Sequence, residues 1–193
     1  MSVITLVRHG QTDWNMLGRV QGRTDIPLND TGREQAREAA AALRDGGYGA
    51  VAASPLGRAH ETAQIIADAL GLPAPRLYDG LVERDYGTAE GLTSEDLWAR
   101  GRQAMGPDAE TDEVVATRAV AALRQLAADH AHVDGPIVAV AHGSLIRVLI
   151  ALASDGEFPR PGERVPNGSQ HAFRLDDEGR LSLLSYSAVP VDV

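Results

Sequence analysis

The chain contains no cysteine and no lysine, and none of its apolar runs approaches the length of a membrane span. Without cysteine there is no disulfide, no thiolate zinc site and no cysteine nucleophile. Without lysine, Schiff-base and Walker-type lysine chemistry are excluded, so all 18 basic residues are arginines. Net positive charge is missing too: at −9 the chain has no sign of the basic face a nucleic acid requires, and no nucleic-acid partner is expected. The amino terminus opens directly into a strand-like run cut by Arg8, with no secretory signal. The expectation is a cytoplasmic protein without a membrane anchor.

What is present describes an ordinary globular chain. Its 193 residues, 44% hydrophobic and 23% charged, are enough for one domain with a large core. Val3 to Arg8, Val51 to Ala53 and Ile137 to Ala141 are short apolar runs that predict buried strands. Between them lie helical patterns: Thr31 to about Arg44, opened by a Thr31/Glu34 capping box, and a helix after Pro55 closed by Gly71 and Pro73. Thr93 opens a short helix to about Arg100, Thr111 a long one to about His130, and Ser144 to Ala153 reads as a buried helix. Gln170 to Leu175 and Leu181 to Tyr186 flank a polar turn and predict a hairpin. Strands alternating with helices give an α/β fold, a three-layer α/β/α sandwich with a mostly parallel sheet and an antiparallel edge strand. Residues 1–193 are expected to form a single domain, with a flap or insert at about 93–113. Gly10 to Asn29 is expected to be a long functional loop.

Two segments share one layout. Leu6-Val7-Arg8-His9-Gly10 and Val138-Ala139-Val140-Ala141-His142-Gly143 each run from apolar strand to His to Gly. Parallel strands deliver such residues to the carboxyl edge of the sheet, where open α/β folds bind ligands. Gly10 is expected to let a ligand approach the backbone, and the helix start after His142 to face an anion. Arg58, at a helix start following a strand, sits where a cation is disfavoured by the helix dipole unless an anion compensates. Together these residues predict a basic, phosphate-sized pocket. Glu83, by spacing alone, reads as a solvent-exposed loop acid. His60, His130, His132 and His171 read as structural or surface residues.

The segments LVRHGQTDWN, SPLGRAHETA, LVERDYGTAEGLT and AVAHGSLIR, in this order, resemble the histidine phosphatase superfamily, the phosphoglycerate-mutase-like group, over about Val3 to Leu152. The resemblance implies that His9 is a nucleophile forming a phosphohistidine and that Arg8, Arg58 and His142 complete the phosphate pocket. It makes Glu83 the acid that protonates the leaving oxygen, a role that asks for a carboxyl raised in pKa by partial burial. Asn15, Gln21 and Gly22 would line the substrate entrance and Gly143 would lie beside the phosphate. His9 would have to attack as neutral imidazole, one nitrogen free and the other bonded, for instance to a backbone carbonyl. No cofactor and no metal is called for, since arginines beside the histidines make a cation unwelcome. The expected partner is a small phosphorylated metabolite, and a homodimer through the 170–186 hairpin is the expected assembly.

Mutases of this group carry basic residues, a lysine among them, in the insert after the acid motif. Here residues 93–113 hold no lysine, and Arg100 and Arg102 are not adjacent. The Gln21-Gly22 pair also resembles the phosphatase branch, so a phosphatase is favoured over a phosphoglycerate mutase. A catalytically weak phospho-ligand-binding protein on the same fold is the reading from another class. It would be favoured by loss of any of the five central residues, and all five are present. Leu97, Trp98 and Met105 are candidates for apolar contacts to a leaving group.

Overall fold

The computed structural model describes residues 1–190, apart from the side chains of Ser94, Trp98, Arg102 and Pro190. In chain order the elements are β1 (Ser2–Arg8), α1 (Asp13–Met16), α2 (Asp30–Leu43), β2 (Ala50–Ala53), α3 (Gly57–Leu70) and β3 (Arg76–Leu77). They continue with α4 (Ser94–Arg100), α5 (Asp112–Asp129), β4 (Ile137–Ala141), α6 (Gly143–Ala153), β5 (Glu163–Arg164), β6 (Gln170–Leu175), β7 (Leu181–Ser185) and β8 (Val189–Pro190). Six strands form one sheet in the order β3-β2-β4-β1-β6-β7, and β5 pairs with β8 in a separate two-stranded ladder. β3, β2, β4 and β1 run parallel, whereas β6 and β7 add on antiparallel.

The two central strands are apolar on both faces because both faces are covered. Strand side chains alternate, so Ile4 and Leu6 of β1 and Ile137 and Ala139 of β4 face one way, packed with Leu123 and Leu126 of α5 and Leu145 and Leu149 of α6. Val7, Val138 and Val140 face the other way, against Leu43 of α2 and Ile66 of α3. Burying one such aliphatic side chain contributes about 1.5–3 kcal/mol, so these two clusters hold the three layers together.

The helix caps follow sequence chemistry, with one correction. Thr93 and Thr111 each accept a hydrogen bond from the third backbone amide of their helix, as capping threonines do. The α2 cap is not Thr31 but Asn29, whose side chain accepts from Gly32 N at 2.9 Å. Asn29 leads the cap preference and sits two residues earlier, so the helix begins at Asp30. The 10–29 stretch is not uniformly irregular either: Thr12 and Asn15 form a reciprocal capping box that opens the single-turn α1.

Register is what makes a site. β1 and β4 are aligned with Arg8 opposite Ala141, and β2 and β4 with Ala53 opposite Val140. The residues that follow each strand therefore emerge side by side: His9 after Arg8, Ser54 after Ala53, His142 after Ala141. Backbone bonds continue the pairing past the strand ends, with His9 N donating to Ala141 O and Ser54 N donating to Val140 O at 3.0 and 2.9 Å.

Candidate active site

His9 and His142 meet with ring centroids 5.1 Å apart, both almost completely buried. His9 Nδ1 lies 2.7 Å from the carbonyl of Gly10, which can only accept, so Nδ1 carries the proton and Nε2 keeps its lone pair. Arg58 Nε donates toward that lone pair at 3.3 Å. Burial, reinforced by Arg58 and Arg8, holds the His9 pKa well below its usual 6.5. His142 is held low in the same way, by burial first and then by Arg58. Both imidazoles are neutral near neutral pH.

His142 Nε2 is 2.8 Å from Ser54 Oγ, while its Nδ1 is buried with no partner among the described residues. Ser54 Oγ already accepts from Leu56 N at 3.3 Å, which leaves its own hydrogen for the imidazole. In that arrangement the hydroxyl donates to Nε2, and His142 Nδ1 is an N–H donor beside the His9 ring.

Arg58 is fully buried, and its guanidinium is locked by carbonyls: Nη1 donates to Thr24 O at 2.9 Å and Nη2 to Gly22 O at 2.8 Å. Asp25, 3.6 Å away, is its nearest carboxylate. Burial lowers the Arg58 pKa, and that of Arg8 falls to about 10 for the same first cause. Arg8 Nη1 donates to Val165 O at 2.5 Å, and its Nε is buried without a partner among the described residues. A Cβ on Gly143 would stand 3.1 Å from that Nε, so glycine there makes room for the Arg8 side chain.

Glu83 is buried, at 8% exposure, not exposed as its loop position predicts. Its carboxylate accepts from Ser144 N, Leu145 N and Arg84 N at 3.0, 3.1 and 2.8 Å. The amino end of α6, expected to face a ligand anion, is thus occupied by Glu83, which a helix dipole and unpaired amides favour equally well. Arg118 of α5 fixes the Glu83 segment by donating to the carbonyls of Gly80, Val82 and Glu83. Tyr86 sits beside it with a hydrogen bond to Ser144 and a phenol pushed up by burial.

Gly10 also serves a different purpose from the expected one. A Cβ there would come within 2.1 Å of Gly32 O, so the residue lets β1 pass against the start of α2. Gly22 has a positive φ of 54° and presents the carbonyl that holds Arg58. Gln21 is anchored by the Thr12 hydroxyl at 2.9 Å, and Asn15 accepts from Asn167 Nδ2 at 3.2 Å. Arg8, His9, Asn15, Gln21, Gly22, Arg58, Glu83 and Gly143 line one cavity of about 880 Å³, and the fully buried His142 packs against the His9 ring. Leu97 lines it too, Met105 is packed away in the interior, and the Trp98 side chain lies outside the described residues.

Several site residues carry no sequence signal of their own. Asn167 Nδ2 donates to His9 O at 2.9 Å, and Thr62 Oγ1 accepts from Gly10 N at 3.2 Å. Glu90 accepts from Arg23 N and Thr24 N at 2.8 and 2.9 Å, shaping the loop that grips Arg58. His171 is structural as expected. Ser187 N donates to its Nδ1 at 3.3 Å, so its Nε2–H donates to Ser169 Oγ at 2.8 Å, and that hydroxyl donates to Pro166 O at 2.6 Å. The chain of bonds supports the loop carrying Val165 and Asn167. Among the described residues no group of three His, Asp or Glu side chains is placed to hold a metal ion.

The arrangement is an electrophile trap for a tetrahedral anion: one imidazole lone pair, two buried guanidinium groups and a second imidazole N–H. Comparison with known proteins agrees. Residues 4–187 match the model of the histidine phosphatase superfamily (branch 1). An uncharacterized phosphatase, PhoE, of Bacillus subtilis is 39% identical over 92% of this chain and 91% of its own length. A phosphoglycerate mutase-like protein of Arabidopsis thaliana is 33% identical over 93% of this chain and 82% of its own. Among solved structures, a mycobacterial glucosyl-3-phosphoglycerate phosphatase in complex with VO3 superposes with a TM-score of 0.84 at 29% identity, covering 98% of this chain and 100% of that one. A phosphoserine phosphatase of Entamoeba histolytica superposes with a TM-score of 0.77 at 28% identity, over 96% of both chains. The four motif segments, the cavity they build and these likenesses make the chain a member of the histidine phosphatase superfamily, branch 1.

Proposed function

We propose that His9 Nε2 attacks the phosphorus of a phosphomonoester, displacing the ester oxygen and forming a phosphohistidine that water then cleaves to inorganic phosphate. The observation that carries this is the His9 tautomer: Gly10 O holds the Nδ1 proton, which leaves the Nε2 lone pair beside Arg58. An arriving phosphoryl oxygen takes the Arg58 Nε–H and frees that lone pair. Arg8, Arg58 and His142 Nδ1–H then face the equatorial oxygens, whose charge spreads in the transition state. Glu83 gives a proton to the departing oxygen and takes one back from the attacking water. Asn15, Gln21, Gly22 and Gly143 shape the entrance and the phosphate seat.

The chain is a phosphoric monoester hydrolase of this superfamily acting on a small phosphorylated metabolite. Relatives named as phosphatases support hydrolysis over transfer, and a phosphoglycerate mutase is the weaker reading. We take the chain as one domain whose 93–113 segment covers the entrance, with Leu97 and Asp112 on the cavity wall. A cytoplasmic setting fits a chain in which no described helix is long and apolar enough to cross a membrane. A homodimer through the β6–β7 hairpin is supported by Leu184, an apolar side chain 43% exposed on β7. The test of the central step is His9→Ala. It should abolish hydrolysis of p-nitrophenyl phosphate in a protein that still folds, and acid-labile phosphate should be trapped only on the unsubstituted enzyme. Retained turnover in that variant removes His9 as the nucleophile.

A further inference from the structure

The cavity in front of His9 carries more positive charge than one phosphoryl group uses. It is lined by six arginines, at positions 8, 19, 58, 84, 147 and 164, against three carboxylates, Glu83, Asp112 and Glu163. Arg8 and Arg58 belong to the phosphoryl seat. Arg84 is ion-paired with Asp112, Arg19 donates to Gly91 O, and Arg147 donates to Glu163 O. The Glu163 carboxylate is itself engaged, accepting from Arg160 N at 2.8 Å and from the Tyr186 hydroxyl at 3.1 Å.

Arg164 is different. It is exposed to the cavity and, among the described residues, has neither a hydrogen bond nor an ion pair from its side chain. Its backbone is not loose: Arg164 pairs with Val189 in the β5–β8 ladder. The next residue supplies the carbonyl that holds Arg8 Nη1 at 2.5 Å, so Arg164 enters the cavity wall directly beside the phosphoryl seat. Its charge is close enough to disfavour protonated Arg8. Placing an unneutralised guanidinium next to another is unfavourable unless an anion is shared, and a planar fork of donors is suited to carboxylate or phosphate oxygens.

We propose that Arg164 is a specificity-determining residue: it binds a second anionic group on the substrate, so that the preferred substrates are small phosphomonoesters bearing a carboxylate or a second phosphate. This rests on the phosphatase reading and names the substrate class of that same site. The second group engages Arg164 in the ground state and the transition state alike, so its loss acts on KM more than on kcat.

The experiment compares matched substrate pairs in the unsubstituted enzyme and in Arg164→Met. One pair is 3-phosphoglycerate against glycerol 3-phosphate, which differ in the carboxylate; the other is fructose 1,6-bisphosphate against fructose 6-phosphate. The unsubstituted enzyme should favour the doubly anionic member of at least one pair by roughly 10- to 100-fold in kcat/KM, the range of one charge-assisted hydrogen bond. Raising the salt concentration should erode that preference. Arg164→Met should bring the ratio near one, chiefly through KM, and the pair that collapses identifies carboxylate or phosphate as the recognised group. A ratio near one for both pairs in the unsubstituted enzyme, or a preference that survives the substitution, overturns the proposal. Hydrolysis of p-nitrophenyl phosphate by the unsubstituted enzyme is the separate control: its absence would instead overturn the phosphatase reading.

Discussion

Ser54→Ala is the substitution that tests the site most directly without touching a residue of the phosphoryl seat. Ser54 and His142 are both fully buried and 2.8 Å apart, and no other group among the described residues bonds His142 Nε2. Removing the hydroxyl leaves a buried ring nitrogen unsatisfied, which costs about 1–3 kcal/mol of stability. The effect on rate has a different origin. The hydroxyl favours the tautomer with the proton on Nδ1, the nitrogen that must donate to the phosphoryl group. Full loss of one preorganised donor lowers kcat by about 100- to 1000-fold, which is the expectation for His142→Ala. Ser54→Ala only weakens the preference for the right tautomer, so an intermediate fall of about tenfold, near 1.4 kcal/mol of barrier, is expected. The assay is steady-state kcat on p-nitrophenyl phosphate, with urea unfolding for stability and nitrogen NMR of the His142 ring to show which nitrogen is protonated. If kcat stays within twofold of the unsubstituted enzyme although stability falls, Ser54 is merely structural and the tautomer argument is wrong.

Acid should weaken the fold through His171. Burial lowers its pKa from 6.5 to about 4, so below 6.5 the unfolded chain binds a proton that the folded chain refuses. That stabilisation, roughly 3 kcal/mol, is complete above 6.5 and lost as the pH falls toward about 4. Urea unfolding across this interval should show the loss, and His171→Gln should flatten it; an unchanged slope would assign the loss to His9 and His142, which are shifted the same way. Glu83→Gln should slow alkyl phosphates at least tenfold more than activated aryl phosphates, whose leaving oxygen needs no proton, and equal losses would rule out the acid role. Asn167→Ala should cost roughly 1 kcal/mol of stability through the lost bond to His9 O and lower kcat/KM several-fold; unaltered kinetics would show that the His9 backbone needs no brace.

Much of this was legible from the chain because the signals were local. Continuous apolar runs marked β1 and β4, and capping threonines fixed the starts of α4 and α5 within a residue. The repeated strand-His-Gly layout placed His9 and His142 at one sheet edge, since parallel register converts similar sequence positions into spatial neighbours. Residues whose meaning depends on distant partners were not legible. Glu83 looks solvated until α6 supplies its amides from sixty-one residues later. Asn167, Ser54 and Thr62 are ordinary polar residues whose roles exist only once β1, β2 and α3 are assembled around His9. Asn29 caps α2 in place of Thr31, and its side chain also donates to Gln11, a partner eighteen residues away that a local capping pattern does not show.

The clasp on His9 reaches across the chain. Asn167 grips the His9 carbonyl over a separation of 158 residues, and Val165 holds Arg8 over 157. All four motif segments are synthesised before either clasp residue. A nascent polypeptide holding every recognisable motif therefore still lacks both clasps, and the His9 and Arg8 positions are tied down only once residues 165–167 are made. A product truncated before residue 165 would hold every motif and lack both of the bonds that fix Arg8 and His9.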